Sequence, residues 1–295
     1  MDWKKLACML AIGLMAVGCG DDDGDDTMTG LDAGPPEPLD CTGEDDRCLF
    51  VAATVGIVEE DPETGTVEGF NLDDMVSTAG DEAGCFVEDF VSPSGEEGID
   101  NQLAVLAPTL ASVAGDLQES LDGVIADGSL IIMMELNDVD ATTDADVTVD
   151  LAMGAVPEGS TIELDGTIIA AGQSFDIEMV YVDAQPATIT DGVLETDVAL
   201  LPLPLDLDGT SITLNIRNAR LRARVEGNTL AGGVIGGSLN IDELVALAME
   251  VGDIDEALAR SFIETLGDLE PDMDGVCQNL SVAITFEGVE ANEAP

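Results

Sequence analysis

Over residues 129–237, and again from Leu280 to Phe286, apolar residues recur at alternate positions in runs broken by turn dipeptides, a period that only a strand with one buried face satisfies. Val147, Val149 and Leu151 alternate with polar neighbours, as do Phe175, Ile177 and Met179, and again Leu280, Val282, Ile284 and Phe286. Asp165-Gly166, Asp191-Gly192 and Asp208-Gly209 punctuate the runs, and Asp-Gly tolerates the positive φ of tight hairpins. The continuous run Leu130-Ile131-Ile132-Met133-Met134 predicts a strand covered on both faces. Shorter 3.6-residue patterns predict helices from an Asp100 N-cap through Leu103, Leu106 and Leu110, bent at Pro108, and from Leu117 to about Gly128. Asn240 with Glu243 and Asp253 with Glu256 read as capping pairs on two further helices. Leu49 to Val58 and Thr66 to Leu72, separated by Asp61-Pro62-Glu63-Thr64-Gly65, read as a hairpin. The expected fold is α+β and mostly β, an antiparallel sheet or sandwich with a few helices packed on one face, in one domain over residues 41–290.

Charge narrows the chemistry. Eight basic residues stand against 62 acidic ones, a formal net charge of −54, and there is no histidine. Nucleic acid and anionic lipid surfaces are excluded as partners by repulsion. Without histidine there is no Ser-His-Asp or Cys-His machinery, and the only lysines, Lys4 and Lys5, stand at the extreme N-terminus. Carboxylate chemistry survives, but with so many acids the sequence singles out no pair, and no catalytic residue is assigned.

The N-terminus carries an address. Lys4 and Lys5 precede an apolar run from Leu6 to Val17 that is too short to span a bilayer comfortably, and Ala16-Val17-Gly18-Cys19 closes it. This stretch resembles the lipobox of bacterial lipoproteins. The resemblance implies a signal peptide over residues 1–18, acylation of Cys19, and a cell-envelope location on the extracytoplasmic side, at the outer membrane or cell surface. Residues 19–40, rich in aspartate with glycine and proline, read as an extended self-repelling tether. In an oxidising compartment Cys41, Cys48, Cys85 and Cys277 allow three connectivities. The pairing expected is Cys41 with Cys48, closing a short loop, and Cys85 with Cys277, stapling the last strand to the N-terminal region.

Three constellations are candidates for binding. Arg217, Arg220, Arg222 and Arg224 form a basic stripe in an acidic chain. In a strand, Arg220, Arg222 and Arg224 share one face while Ala219, Leu221, Ala223 and Val225 share the other. Ile212, Leu214 and Ile216 have the opposite parity, so a bulge near Asn218 is required. The stripe reads either as an anion site or as cross-strand pairing with acids such as Asp206 and Asp208; pairing fits the acidic surroundings better. Gly232, Gly233, Gly236 and Gly237 have the outline of a phosphate cradle but no P-loop lysine, so they read as close backbone packing. Glu270, Asp272 and Asp274 with Gly275 offer half of a calcium loop, with Ser281 where an EF-hand has glutamate. Asp138, Asp140, Asp144 and Asp146 make a second acidic cluster.

These observations lead to a lipid-anchored, non-enzymatic structural, adhesion or binding protein, with divalent cations as candidate ligands and no other cofactor. The alternative is a carrier that holds a lipid or other hydrophobic ligand against a curved sheet, with the Asp100 to Val113 helix as its lid.

Overall fold

The computed structural model describes residues 47–80, 85–114, 117–139, 142–207, 210–252 and 255–295. The expected signal segment, Cys19, the tether and Cys41 lie outside them, as do Asp140, Asp208 and Asp253. Among the described residues thirteen strands follow in chain order. They are β1 (Arg47–Ile57), β2 (Phe90–Val91), β3 (Glu97–Ile99), β4 (Ile132–Asn137), β5 (Asp144–Ala155), β6 (Leu164–Asp165) and β7 (Ile168–Ile169). They continue with β8 (Gln173–Thr190), β9 (Val193–Leu207), β10 (Thr210–Glu226), β11 (Thr229–Asn240), β12 (Leu269–Pro271) and β13 (Cys277–Glu293). Among the described residues four α-helices accompany them: α1 (Leu103–Ala114), α2 (Leu117–Ala126), α3 (Ile241–Gly252) and α4 (Glu256–Ile263).

The long strands pair in the order β1-β4-β5-β8-β9-β10-β11-β13, and β13 pairs back to β1, so the mostly β fold is an eight-stranded antiparallel barrel with few helices. Each barrel strand lies beside the barrel strand that precedes it in the chain, an up-and-down course completed by the closure of β13 on β1. The closing contact runs from Phe50 opposite Glu290 to Ile57 opposite Ile284. It unites strands at the two ends of the described chain. Closure also corrects the expected hairpin, because β1 pairs with β4 and β13 and not with residues 66–72.

Local chemistry explains the course of individual strands. Asp191 and Gly192 both take positive φ and turn β8 into β9, as the Asp-Gly signal requires. In β10 the pairing with β11 steps from Arg217–Ser238 to Arg220–Gly236, one extra residue on β10, and Asn218 sits at φ +48°. This bulge lets Ile212 and Ile216 be buried ahead of it and Ala219, Leu221, Ala223 and Val225 beyond it, with the arginines outside. Three glycines of β11 are fixed by space, and a Cβ on Gly237 would stand 2.8 Å from the Arg217 carbonyl oxygen. A Cβ on Gly233 would stand 2.5 Å from the Phe286 ring, and one on Gly236 would stand 2.6 Å from Phe70.

Side chains fill the barrel. Phe50, Met134, Leu151, Leu230, Ile284 and Phe286 surround a residual void of about 20 Å³. Helices α1, α2 and α3 close one end, where Leu106, Leu121 and Leu244 meet Leu203, Ile216 and Val282 around an apolar cavity of about 70 Å³. The helices therefore plug an end of the barrel; in a closed sheet the inner face is already occupied. Asn240 caps α3 by accepting from the amides of Asp242 and Glu243, while Glu243 itself pairs with Arg217. The cap of α4 is Asp255, which accepts from Ala257 N.

Candidate functional site

After β1 the chain leaves the barrel wall, and residues 58–80 and 85–102 lie on the outside of β11 and β13 as a strap. Val58, Val67, Phe70 and Phe90 of the strap pack with Ala104 of α1 on Val234 and Ala283. These outer-facing apolar positions explain why β13 is buried on both faces between Asn279 and Ile284. The disulfide between Cys85 and Cys277 joins the strap to the first residue of β13, with Cα atoms 5.9 Å apart. That is the pairing expected from the sequence. Cys48 also takes part in a disulfide, and its expected partner, Cys41, is outside the described residues.

A polar network beneath the strap repairs a gap in the sheet. β1 ends at Ile57 opposite Ile284, and β12 reaches β13 only at Asn279 and Cys277. Between them the amides of Ser281 and Ala283 have no strand to receive them. Side chains substitute: Ser281 N donates to Asp268 Oδ1 at 2.8 Å and Ala283 N donates to Asn101 Oδ1 at 3.0 Å. Gln102 N donates to Ser281 Oγ at 2.8 Å, and Ser281 Oγ also bonds Asp268 Oδ2. Asn101 Nδ2 returns to Glu68 O at 3.0 Å and Gln102 Nε2 to Glu88 O at 3.2 Å, both on the strap. Asp100 is an extended residue bridged to Phe70, not a helix cap, and its Oδ2 accepts from Leu72 N at 2.6 Å.

Asp100, Asn101, Gln102, Asp268 and Ser281 are all buried. Burial pushes the Asp100 carboxyl up to about 8, against the lowering effect of the Leu72 amide, with Asp268, Asp73 and Asp89 adding repulsion. Burial likewise pushes Asp268 up to about 7, opposed by its bonds from Ser281. The sequence offers no periodic or motif signal for this pair. Its nearest hint is the run Asp100-Asn101-Gln102 set directly before an apolar helix.

The strap also walls an open groove of about 650 Å³ on the outside of β8, β9 and β10. Arg220 and Arg222 lie in it, with Asp74 and Glu96 from the strap and Glu195 and Asp197 from β9. Register places Asp197 directly opposite Arg220 and Glu195 directly opposite Arg222. Arg220 donates to Asn71 O at 2.7 Å and lies 3.8 Å from Asp74 and 4.0 Å from Asp197. Arg222 lies 3.7 Å from Glu68 and stacks over Phe70, 5.1 Å from the ring centre. The other two arginines of the stripe pair with Glu243 and Glu226. The stripe is thus a set of ion pairs, but with other partners than expected: Asp206 stands opposite Ser211, well away from the arginines.

The proposed calcium string is not drawn together. Asp272 Oδ1 accepts from Asp274 N and Val276 N, and Oδ2 from Gln278, so Asp272 organises the β12–β13 turn. Glu270 turns to Asn279 and Asn218 instead. Among the described residues no group of three or more acidic or cysteine side chains is placed to hold a metal ion. In the second cluster Asp144 accepts from Asp146 N. No protein-family model, curated protein or solved structure matches the chain.

Proposed function

We propose that the protein is a non-enzymatic binding domain of the cell envelope, held by a lipid on Cys19, and that its outer groove receives a basic segment of a protein partner. The observation that carries this reading is the contrast between a filled interior and an open exterior. A carrier needs room, and among the described residues the cavities inside the barrel are about 20 Å³ in its middle and about 70 Å³ beneath the helices, against a groove of about 650 Å³ outside. The groove sets two guanidinium groups, each already faced by carboxylates, against Asp74, Glu96, Glu195 and Asp197. Negative charge is in excess there, and Asp74 and Asp197 keep 86% and 84% of their side chains exposed, ready for a cationic partner. A net charge of −54 would draw such a partner in from solution.

In this reading the outer wall of β8, β9 and β10 faces water. Asp176, Glu178, Glu195, Asp197, Arg217 and Arg224 project from β8, β9 and β10, where a barrel set in lipid carries an apolar band. The lipid anchor, rather than the barrel, makes the membrane contact in this reading.

Calorimetric titration of the purified protein with a Lys/Arg-rich peptide at 150 mM salt tests the groove; that salt level screens diffuse attraction beyond ~8 Å. The pair Glu96→Gln with Glu195→Gln is expected to weaken binding about tenfold, whereas the charge-matched pair Asp176→Asn with Glu178→Gln leaves it within about twofold. Equal losses from both pairs, or no binding at that salt, would remove the groove from the account.

A further inference from the structure

The strap both walls the groove and, through Asn101 and Gln102, closes the gap in β13, and two buried carboxyl groups flank those bonds: Asp268 holds Ser281 from below, and Asp100, next to Asn101, holds Leu72 N. We propose that Asp100 and Asp268 form a proton-controlled latch: while they are neutral the strap is fastened to β13, and when they ionise its groove wall is released. This rests on the groove reading for its purpose, though not for its physics.

The geometry supplies each part. Asp268 holds the Ser281 amide and hydroxyl, and Ser281 Oγ in turn receives Gln102 N at the strap's exit. Asp100, two residues earlier, holds Leu72 N in the middle of the strap, next to Asn71, whose carbonyl receives Arg220 in the groove. Asn71 Oδ1 is buried beside this contact with no hydrogen-bond partner, so the groove wall here is not fully fastened by its own bonds.

Asp268, together with Asp73 and Asp89 of the strap, bears on Asp100, and Asp89 bears on Asp268. All are acidic. β13 offers Ser281, and the turn into α1 offers Asn101 and Gln102, so no cation from these elements compensates an ionised pair. Burial accordingly raises both carboxyls into the neutral range. A second buried negative charge beside the first is relieved only by water, and water reaches these groups only when the strap lifts. The Cys85–Cys277 bond keeps the strap covalently held to β13, which makes the opening local and reversible.

The chain is well suited to a clean test because it contains no histidine, so side chains that ordinarily titrate between pH 6 and 9 are nearly absent. Hydrogen exchange of the full-length protein, read by mass spectrometry and corrected for the intrinsic pH dependence, is followed for peptides from 66–80 and 88–102. The strap is expected to lose protection at least tenfold between pH 6 and pH 9 while β5, β9 and β10 keep theirs. The double variant Asp100→Asn/Asp268→Asn, which retains neutral polar groups of the same shape, is expected to remove that pH response. Strap protection that is unchanged between the two pH values in the wild type overturns the latch, as does an equal loss in the double variant. The peptide titration is read separately: a strap that opens while no basic peptide binds leaves the latch standing and rejects the groove.

Discussion

Moving the protein from pH 6 to pH 9 at constant ionic strength should lower its unfolding free energy by about 4 kcal/mol, and the sign follows from which state holds the protons. Asp100 and Asp268 have folded values near 8 and 7, above the ordinary aspartate value of 3.8. The folded chain therefore binds more protons than the unfolded chain across this interval. Their stabilisation is complete below the unfolded value and is lost as pH rises through the folded values. Integrated over pH 6 to 9, Asp268 contributes about 1 kcal/mol and Asp100 about 3 kcal/mol, if the two titrate independently. Urea unfolding followed by far-ultraviolet circular dichroism at the two pH values measures the change. Asp100→Asn should remove most of it, at the cost of an exchanged acceptor at Leu72 N. An unfolding free energy that is flat or rising from pH 6 to 9, or an Asp100→Asn variant with the wild-type slope, refutes the reasoning. The diffuse repulsion of the acidic surface does not mimic the effect, since ordinary carboxylates are already ionised at pH 6.

Replacing Cys85 and Cys277 together by serine frees a loop of 192 residues in the unfolded chain. The expected loss is about 3–5 kcal/mol, read as a lower urea midpoint with the barrel's circular dichroism retained. Asn218→Val should cost about 1 kcal/mol because a β-branched side chain resists the positive φ of the bulge, whereas Asn218→Gly should cost less; thermal melts rank the two. Cys19→Ala should abolish radiolabelled palmitate incorporation and release the protein from membranes. Persistence of both would remove the lipid anchor.

Much of the barrel wall was legible because sheet periodicity is a local property. The Asn218 bulge follows from a parity conflict between Ile216 and Ala219, and the β8–β9 turn from Asp191-Gly192. The crowding at Gly233 and Gly236 agrees with the close packing expected of those glycines. Closure was not legible, since pairing of β1 with β13 depends on stagger summed around the whole sheet. The residues 66–72 alternate like a strand yet lie in the strap, where apolar Val67 and Phe70 pack on a neighbouring sheet surface rather than in a ladder. Asp100 mimics an N-cap in sequence because capping and sheet-gap repair both call for a short acceptor beside an apolar run. The arginine stripe was seen, but its true partners Glu195 and Asp197 depend on the register of β9, and Glu68 and Asp74 on the path of the strap. The buried acid pair escaped sequence reasoning altogether: its two members are distant in the chain, and their altered acidity arises only on folding.

The central claim, that binding belongs to the outside of a filled barrel, is tested most directly by nuclear magnetic resonance titration of the full-length protein with a Lys/Arg-rich peptide and, separately, with a medium-chain fatty acid. The peptide is predicted to shift the backbone signals of Glu96, Glu195, Asp197 and Arg220, and neither titrant is predicted to move the methyl signals of Leu151, Leu230 and Ile284. Core methyls that move with the fatty acid, while the groove signals stay still with the peptide, would contradict the account.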